Sequence, residues 1–168
     1  MNFKLSKIQI EKFSRQIILK NIGSLGQKKI IQSKVLIIGM GGLGCPVAEF
    51  LTRAGVGYLG IIDSDIVNLS NIHRQTLYDI KDLKKSKVKA AFKKLKMINP
   101  TTKIKCYNIR LSQSNFEKVI ISSFIFDKYL ATYINITIEA KVEGWNPNPT
   151  IGILIHLFEF VIESERVG

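Results

Sequence analysis

The chain has 168 residues, of which 46% are hydrophobic and 23% charged, a balance that supports one globular domain with its own core and excludes a chain disordered throughout. Its longest apolar stretch, 152–162, is interrupted by His156 and Glu159 and falls short of the roughly 20 residues a membrane-spanning helix needs. The charge is uneven: residues 1–116 hold 21 Lys and Arg against 6 Asp and Glu (net +15), whereas residues 117–168 hold 4 against 7 (net −3), so the basic part suits an anionic partner such as a nucleotide, a nucleic acid or an acidic protein.

From the N-terminus, Lys4, Lys7, Glu11 and Lys12 stand where a secretory signal would need an apolar run, so a cytoplasmic location and no membrane partner are expected. Ile10, Phe13, Ile17 and Ile18 fall at helical spacing, and breaks at Gly23 and Gly26 predict two short helices between residues 8 and 31. Val35-Leu36-Ile37-Ile38 is a continuous apolar run ending at glycine, the pattern of a buried parallel strand. A glycine-rich turn, a helix over about 42–54 and a second apolar run, Tyr58 to Ile62, complete a βαβ unit.

Residues 64–83 are polar and irregular, and a connector of that length is expected to be functional. A basic amphipathic helix follows over about 85–98, with Val88, Ala91, Phe92 and Leu95 at i, i+3, i+4 and i+7; Asn99-Pro100 stops it. Ile104 to Ile109 predicts a third strand. The fold class is therefore α/β with a parallel sheet. Beyond residue 116 the pattern weakens: 119–126 and 152–162 fit helix or strand, 133–142 alternates loosely, and 145–149 is a turn. Cys45 and Cys106 stand 61 positions apart with no CxxC pair, so they offer neither a disulfide framework nor a zinc site and are expected to be small buried residues.

Chemistry concentrates at the first turn. Gly39-Met40-Gly41-Gly42-Leu43-Gly44 fits GxGxxG between a strand and a helix. In that setting Gly39 permits the tight turn, Gly41 and Gly42 let a phosphate approach the backbone, and Gly44 allows close helix–strand packing. The helix N-terminus supplies unpaired N–H groups. Asp63 stands 19 residues past Gly44, at the end of the next strand, where an acid can bind a ribose hydroxyl. These residues alone indicate a nucleotide site.

The loop that follows narrows it. Phe13-Ser14-Arg15-Gln16, the Gly39 to Gly44 turn, the run Asp63-Ser64-Asp65-Ile66-Val67-Asn68-Leu69-Ser70-Asn71-Ile72-His73-Arg74-Gln75, and Ser86-Lys87-Val88 with Asn99-Pro100 together resemble the ThiF/MoeB/HesA family, adenylating relatives of ubiquitin-activating enzymes. The resemblance covers about residues 8–116. It implies a Rossmann-like, mainly parallel sheet with flanking helices, of which this chain carries a part, and a nucleotide-binding unit over 1–120 followed by a divergent tail over 121–168.

The activity it implies is ATP-dependent adenylation of the C-terminal Gly-Gly of a ubiquitin-like sulfur-carrier protein. The carrier's carboxylate attacks the α-phosphorus and pyrophosphate leaves. A terminal carboxyl with a pKa around 3.5 is already ionised and needs no general base, so the demand is for charges that offset an anion approaching a polyphosphate. Arg74 and Lys87 are the implied catalytic cations, assisted by the Gly41 and Gly42 amides and Asn71. Asp63 would hold the ribose, and Asp65 would be a second ribose or metal contact or a loop cap. Arg15 resembles the arginine that reaches the partner subunit's phosphates, which implies a homodimer. ATP and Mg2+ are the implied cofactors; zinc is not, because there are no CxxC pairs.

Past residue 116 the family's Thr-Asp-Asn motif is missing, Asp127 in Phe126-Asp127-Lys128 does not resemble it, and a shortened or frame-altered member is expected. An NAD-dependent oxidoreductase would share the glycine turn and Asp63 but leave Arg74 and Lys87 without a role. A nucleic-acid partner is disfavoured, since no stacking-aromatic or helix-turn-helix signature accompanies the basic helix.

Overall fold

The computed structural model describes residues 4–112, 114–115 and 118–119. Three parallel strands, β1 (Lys34–Ile38), β2 (Tyr58–Ile62) and β3 (Lys103–Tyr107), lie in the order β1-β2-β3. Their register aligns Ile38 with Ile62 and Ile62 with Tyr107, so all three carboxyl ends finish at the same edge. The strand β1, helix α4 (Gly44–Ala54), strand β2, helix α5 (Lys87–Ile98) and strand β3 alternate as expected of a Rossmann-like parallel sheet with flanking helices.

Alternation along the strands divides the core. Val35, Ile37, Leu59 and Ile61 pack with Cys45 and Ala48 of α4 and Val88, Ala91 and Leu95 of α5. Leu36 and Ile62 face the other way and pack with Val119, Ile38, Tyr107, Ile109 and Leu111. Both faces of β1 and β2 are thus buried, which is why these strands read as unbroken apolar runs.

The predicted elements need four adjustments. The N-terminal segment forms three helices, α1 (Lys7–Lys12), α2 (Ser14–Ile17) and α3 (Gly23–Gln32). Gly26 is therefore helical, while Gly23, at φ 58°, provides the break. Phe92 is exposed, because the buried stripe of α5 runs through Val88, Ala91 and Leu95 and widens toward Ala90 rather than toward residue 92. Cys106 is half-buried rather than buried, on β3, which among the described residues pairs with β2 alone; Cys45 is buried, and neither thiol is in a disulfide. The segments beyond 119, including Asp127, lie outside the described residues.

The end of the sheet opposite the strand termini is closed by polar bonds. Buried Asn99, just past α5, donates through Nδ2 to the Thr52 carbonyl at 3.1 Å and to Thr102 Oγ1 at 3.0 Å. Thr102 Oγ1 in turn donates to the Val56 carbonyl at 2.9 Å. Lys12 Nζ donates to Asn99 Oδ1 at 2.9 Å, and burial lowers the Lys12 pKa. Beside it, Phe13 packs so tightly on Gly55 that a Cβ there would lie 2.5 Å from the ring. Gly55, at φ 94°, ends α4 in the left-handed conformation, with the Val56 N–H reaching back to the Leu51 carbonyl.

Because Asn99→Ala would remove the buried donor to the Thr52 carbonyl and Thr102 Oγ1 together with the acceptor of Lys12 Nζ, it should destabilise the chain by about 2–3 kcal/mol, read as a lower urea midpoint with an unchanged slope.

Candidate functional site

The site forms where β1 and β2 end. The Gly39 N–H donates to the Ile62 carbonyl at 2.8 Å, and the Asp63 N–H to the Tyr107 carbonyl at 3.2 Å, so the chain leaves each strand still tied to its neighbour. Gly39 turns the backbone at φ 89°. A Cβ on Gly44 would run into the Gly39 carbonyl oxygen, so α4 starts directly against the end of β1 and only glycine fits there.

Gly41 and Gly42 differ. A Cβ at Gly41 would meet nothing nearer than Gln75 Nε2 at 3.9 Å, and one at Gly42 nothing nearer than Arg74 Cδ at 3.7 Å. Neither has a left-handed φ, so nothing in the protein itself requires glycine at either position. Among the described residues, neither glycine's N–H donates to a protein group. Two unpaired amides at the start of an 11-residue helix, over a surface a side chain would cover, suit an anion that approaches the backbone.

Asp63 organises what surrounds this turn. Its Oδ2 accepts from the Met40 N–H and its Oδ1 from the Asp65 N–H, both at 2.7 Å. Both oxygens expected to bind ribose thus already hold the backbone, each keeping a lone pair for a further donor. Past Asp65 the chain zips onto the start of α5: Ile66 bridges Ser86, and the Lys87 N–H donates to the Asp65 carbonyl at 3.0 Å. Lys87 Nζ lies 2.9 Å from Asp65 Oδ2, the lysine side chain being 7% exposed and the aspartate 66%. The ammonium is therefore held at the site by a carboxylate that water screens.

Arg74 stacks its aliphatic stem on Gly42, and its Nη1 donates to the Ser70 carbonyl at 2.8 Å and lies 3.4 Å from His73 Nε2. The structure therefore brings Gly39, Gly41, Gly42, Gly44, Asp63 and Arg74 together around one turn, and ties Asp65 with Lys87 to it through Asp63. Asn71 is engaged within its own loop, its Oδ1 accepting from the Asn68 N–H at 3.3 Å. Arg15 is exposed on α2 and, among the described residues, pairs with none of these groups.

Three further residues, Tyr78, Cys45 and Gln75, complete the turn, and the sequence gives none of them a role in the site. The buried Met40 carbonyl accepts from the Tyr78 hydroxyl at 2.9 Å and from the Cys45 thiol at 3.4 Å. Burial raises the pKa of both the Tyr78 phenol and the Cys45 thiol, keeping both as donors. Gln75 is 3% exposed with an unpartnered Oε1, and its Nε2 faces Gly41. The cradle fits an adenine nucleotide's phosphates: open amides, a guanidinium above Gly42 and an ammonium nearby. No cluster of three metal-ligating side chains occurs among the described residues, so a Mg2+ ion would need the nucleotide's own oxygens, with Asp65 the exposed carboxylate at hand.

A ThiF family model matches residues 13–128. The adenylyltransferase and sulfurtransferase MOCS3 of Drosophila willistoni is 44% identical over 119 residues, 71% of this chain and 26% of that protein. The sulfur carrier protein adenylyltransferase of Thermus thermophilus is 36% identical over 115 residues, 68% of this chain and 42% of that protein. The crystal structure of Escherichia coli MccB with ATP superposes with a TM-score of 0.59 at 27% identity, covering 64% of this chain and 34% of that one. This chain thus spans less than half the length of each of these relatives.

The four glycines of the turn should separate by stability. Gly44→Ala, forced against backbone, should cost at least about 3 kcal/mol, whereas Gly41→Ala should stay within about 0.5 kcal/mol of the parent, both read by denaturant unfolding.

Proposed function

The chain belongs to the ThiF family, and on that premise we propose that it binds ATP on the Gly39–Gly44 turn and adenylates the C-terminal Gly-Gly of a ubiquitin-like sulfur-carrier protein. The observation that carries this reading is the pair of open amides at Gly41 and Gly42 with the Arg74 side chain lying over one of them. No group of the protein accepts from those two amides among the described residues, and a polyphosphate would. The relatives named above as adenylyltransferases supply the reaction class.

In this reading the Gly41 and Gly42 N–H groups and the α4 N-terminus hold phosphate oxygens. Arg74 and Lys87 offset the charge that builds as the carrier's carboxylate reaches the α-phosphorus and pyrophosphate departs. Lys87 waits on Asp65, whose exposed carboxylate can give up the ammonium to a stronger anion at modest cost. Asp63 keeps both loops in register while its remaining lone pairs take ribose hydroxyls. Mg2+, when bound with the nucleotide, supplies charge neutralisation of the phosphates. Arg15, exposed on α2, is free to reach the nucleotide of a second copy, which makes the working unit a homodimer.

One observation favours a second reading, nucleotide binding without turnover: no Thr-Asp-Asn sequence occurs anywhere in the chain. ATP–pyrophosphate exchange separates the two. Exchange that appears only when a carrier with a free Gly-Gly end is added, and falls about 10²–10³-fold in Arg74→Ala and in Lys87→Ala, is the expected result for the adenylating enzyme. Thermal protection by ATP without exchange selects the second reading, and the absence of both overturns the nucleotide site.

A further inference from the structure

The turn carries an orientation problem that its glycines create. With glycine at 41 and 42, the peptide between Met40 and Gly41 has little steric barrier to rotating as a unit. Its two orientations are opposite in effect. In a trans peptide the C=O and N–H point in opposite directions, and all described peptides here are trans. If the Met40 carbonyl faces the interior, the Gly41 N–H faces the open surface and can donate to an anion. If the peptide flips, a carbonyl oxygen faces the anion and repels it.

The structure shows the first orientation and what holds it. The Met40 side chain is fully buried. Its N–H is taken by Asp63 Oδ2 at 2.7 Å, which fixes the preceding peptide. Its carbonyl points inward to the Tyr78 hydroxyl at 2.9 Å, with the Cys45 thiol a weaker second donor at 3.4 Å. Tyr78 is 5% exposed and packs in the main core cluster with Cys45 and Met40. Water therefore has little access to replace the hydroxyl. Tyr78 and Cys45 are both buried, so neither offers a nucleotide a contact of its own, and neither is a cation.

We propose that Tyr78 is a positioning residue of the nucleotide site: by donating to the Met40 carbonyl, its hydroxyl holds the Met40–Gly41 peptide so that the Gly41 N–H faces the bound phosphate. The inference rests on the reading that phosphate binds this turn. Tyr78 then acts on the phosphate part of the ligand alone, since adenosine makes no contact that depends on the Gly41 amide.

The test compares ATP with adenosine as competitors of a fluorescent adenine nucleotide on the full chain, in the parent and in Tyr78→Phe, which keeps the ring and removes the hydroxyl. ATP should bind about three- to ten-fold more weakly to the variant, with adenosine affinity unchanged. An unchanged ATP-to-adenosine ratio, or an equal loss for both, overturns the proposal. If the parent itself binds ATP no better than adenosine, the phosphate reading of the turn fails first, and the positioning role fails with it. Should Tyr78→Phe not yield folded protein, 4-aminophenylalanine and 4-fluorophenylalanine at position 78 decide, since both fill the place of the hydroxyl and only the first donates: the amino side chain retaining the parental ratio while the fluoro side chain lowers it supports the proposal, and equal ratios in the two overturn it.

Discussion

The Asp63 carboxylate holds two loops at once, and the site depends on that. One oxygen takes the N–H of Met40 in the glycine turn, and the other takes the N–H of Asp65, which begins the loop leading to Lys87. A hydrogen bond to a charged acceptor is roughly twice as strong as a neutral one, and here two of them converge where β1 and β2 both end. The glycine turn and the cation-bearing loop are therefore positioned against the same atoms. Arg74 reaches the turn from a third direction, across Gly42.

The turn itself divides its glycines between two physical jobs. Gly44 is required by packing, since the helix begins against the Gly39 carbonyl, and Gly39 is required by a left-handed backbone. Gly41 and Gly42 are required by neither, and the surface above them is the part of the molecule that packing leaves unexplained. Around them the polar groups are directed inward or sideways: Asp63 to backbone amides, Tyr78 and Cys45 to the Met40 carbonyl, Lys87 to Asp65. What remains unpaired at the surface is a pair of N–H groups, the donor type a phosphate needs.

Rigidity at the other end of the sheet supports this. Asn99, Thr102, Thr52, Val56 and Lys12 are joined by hydrogen bonds across α1, α4, α5 and the start of β3. Phe13 wedges the N-terminal helices against Gly55. With α4 fixed at its C-terminal end by this network and at its N-terminal end by the Gly39–Gly44 contact, the helix has little freedom to shift along the sheet. The amides at its start hold their place relative to the strands.

Much of this was legible in the sequence. The three strands, the helices α4 and α5, the glycine turn and the family all follow from short-range signals: runs of apolar residues, helical spacing, glycines at fixed offsets and a loop motif that spans a few residues. The N-terminal segment departs from its pattern at two points: Gly26 reads as a break but its N–H donates to the Ile22 carbonyl, and α1 and α2 part at Phe13, where no glycine or proline marks the boundary. Helical spacing alone puts Phe92 on the inner face of α5, whereas the buried stripe runs through Val88, Ala91 and Leu95 and widens toward Ala90 instead. The hold of Asp63 on the Met40 N–H, and the reach of Tyr78 to a carbonyl 38 positions earlier, left no trace in local pattern. The sequence by itself determined which elements form and which residue types gather near the turn, because those depend on neighbours along the chain. Only the tertiary structure decided which way the turn's peptides face, because that depends on buried donors and acceptors contributed by distant segments once the core has closed around them.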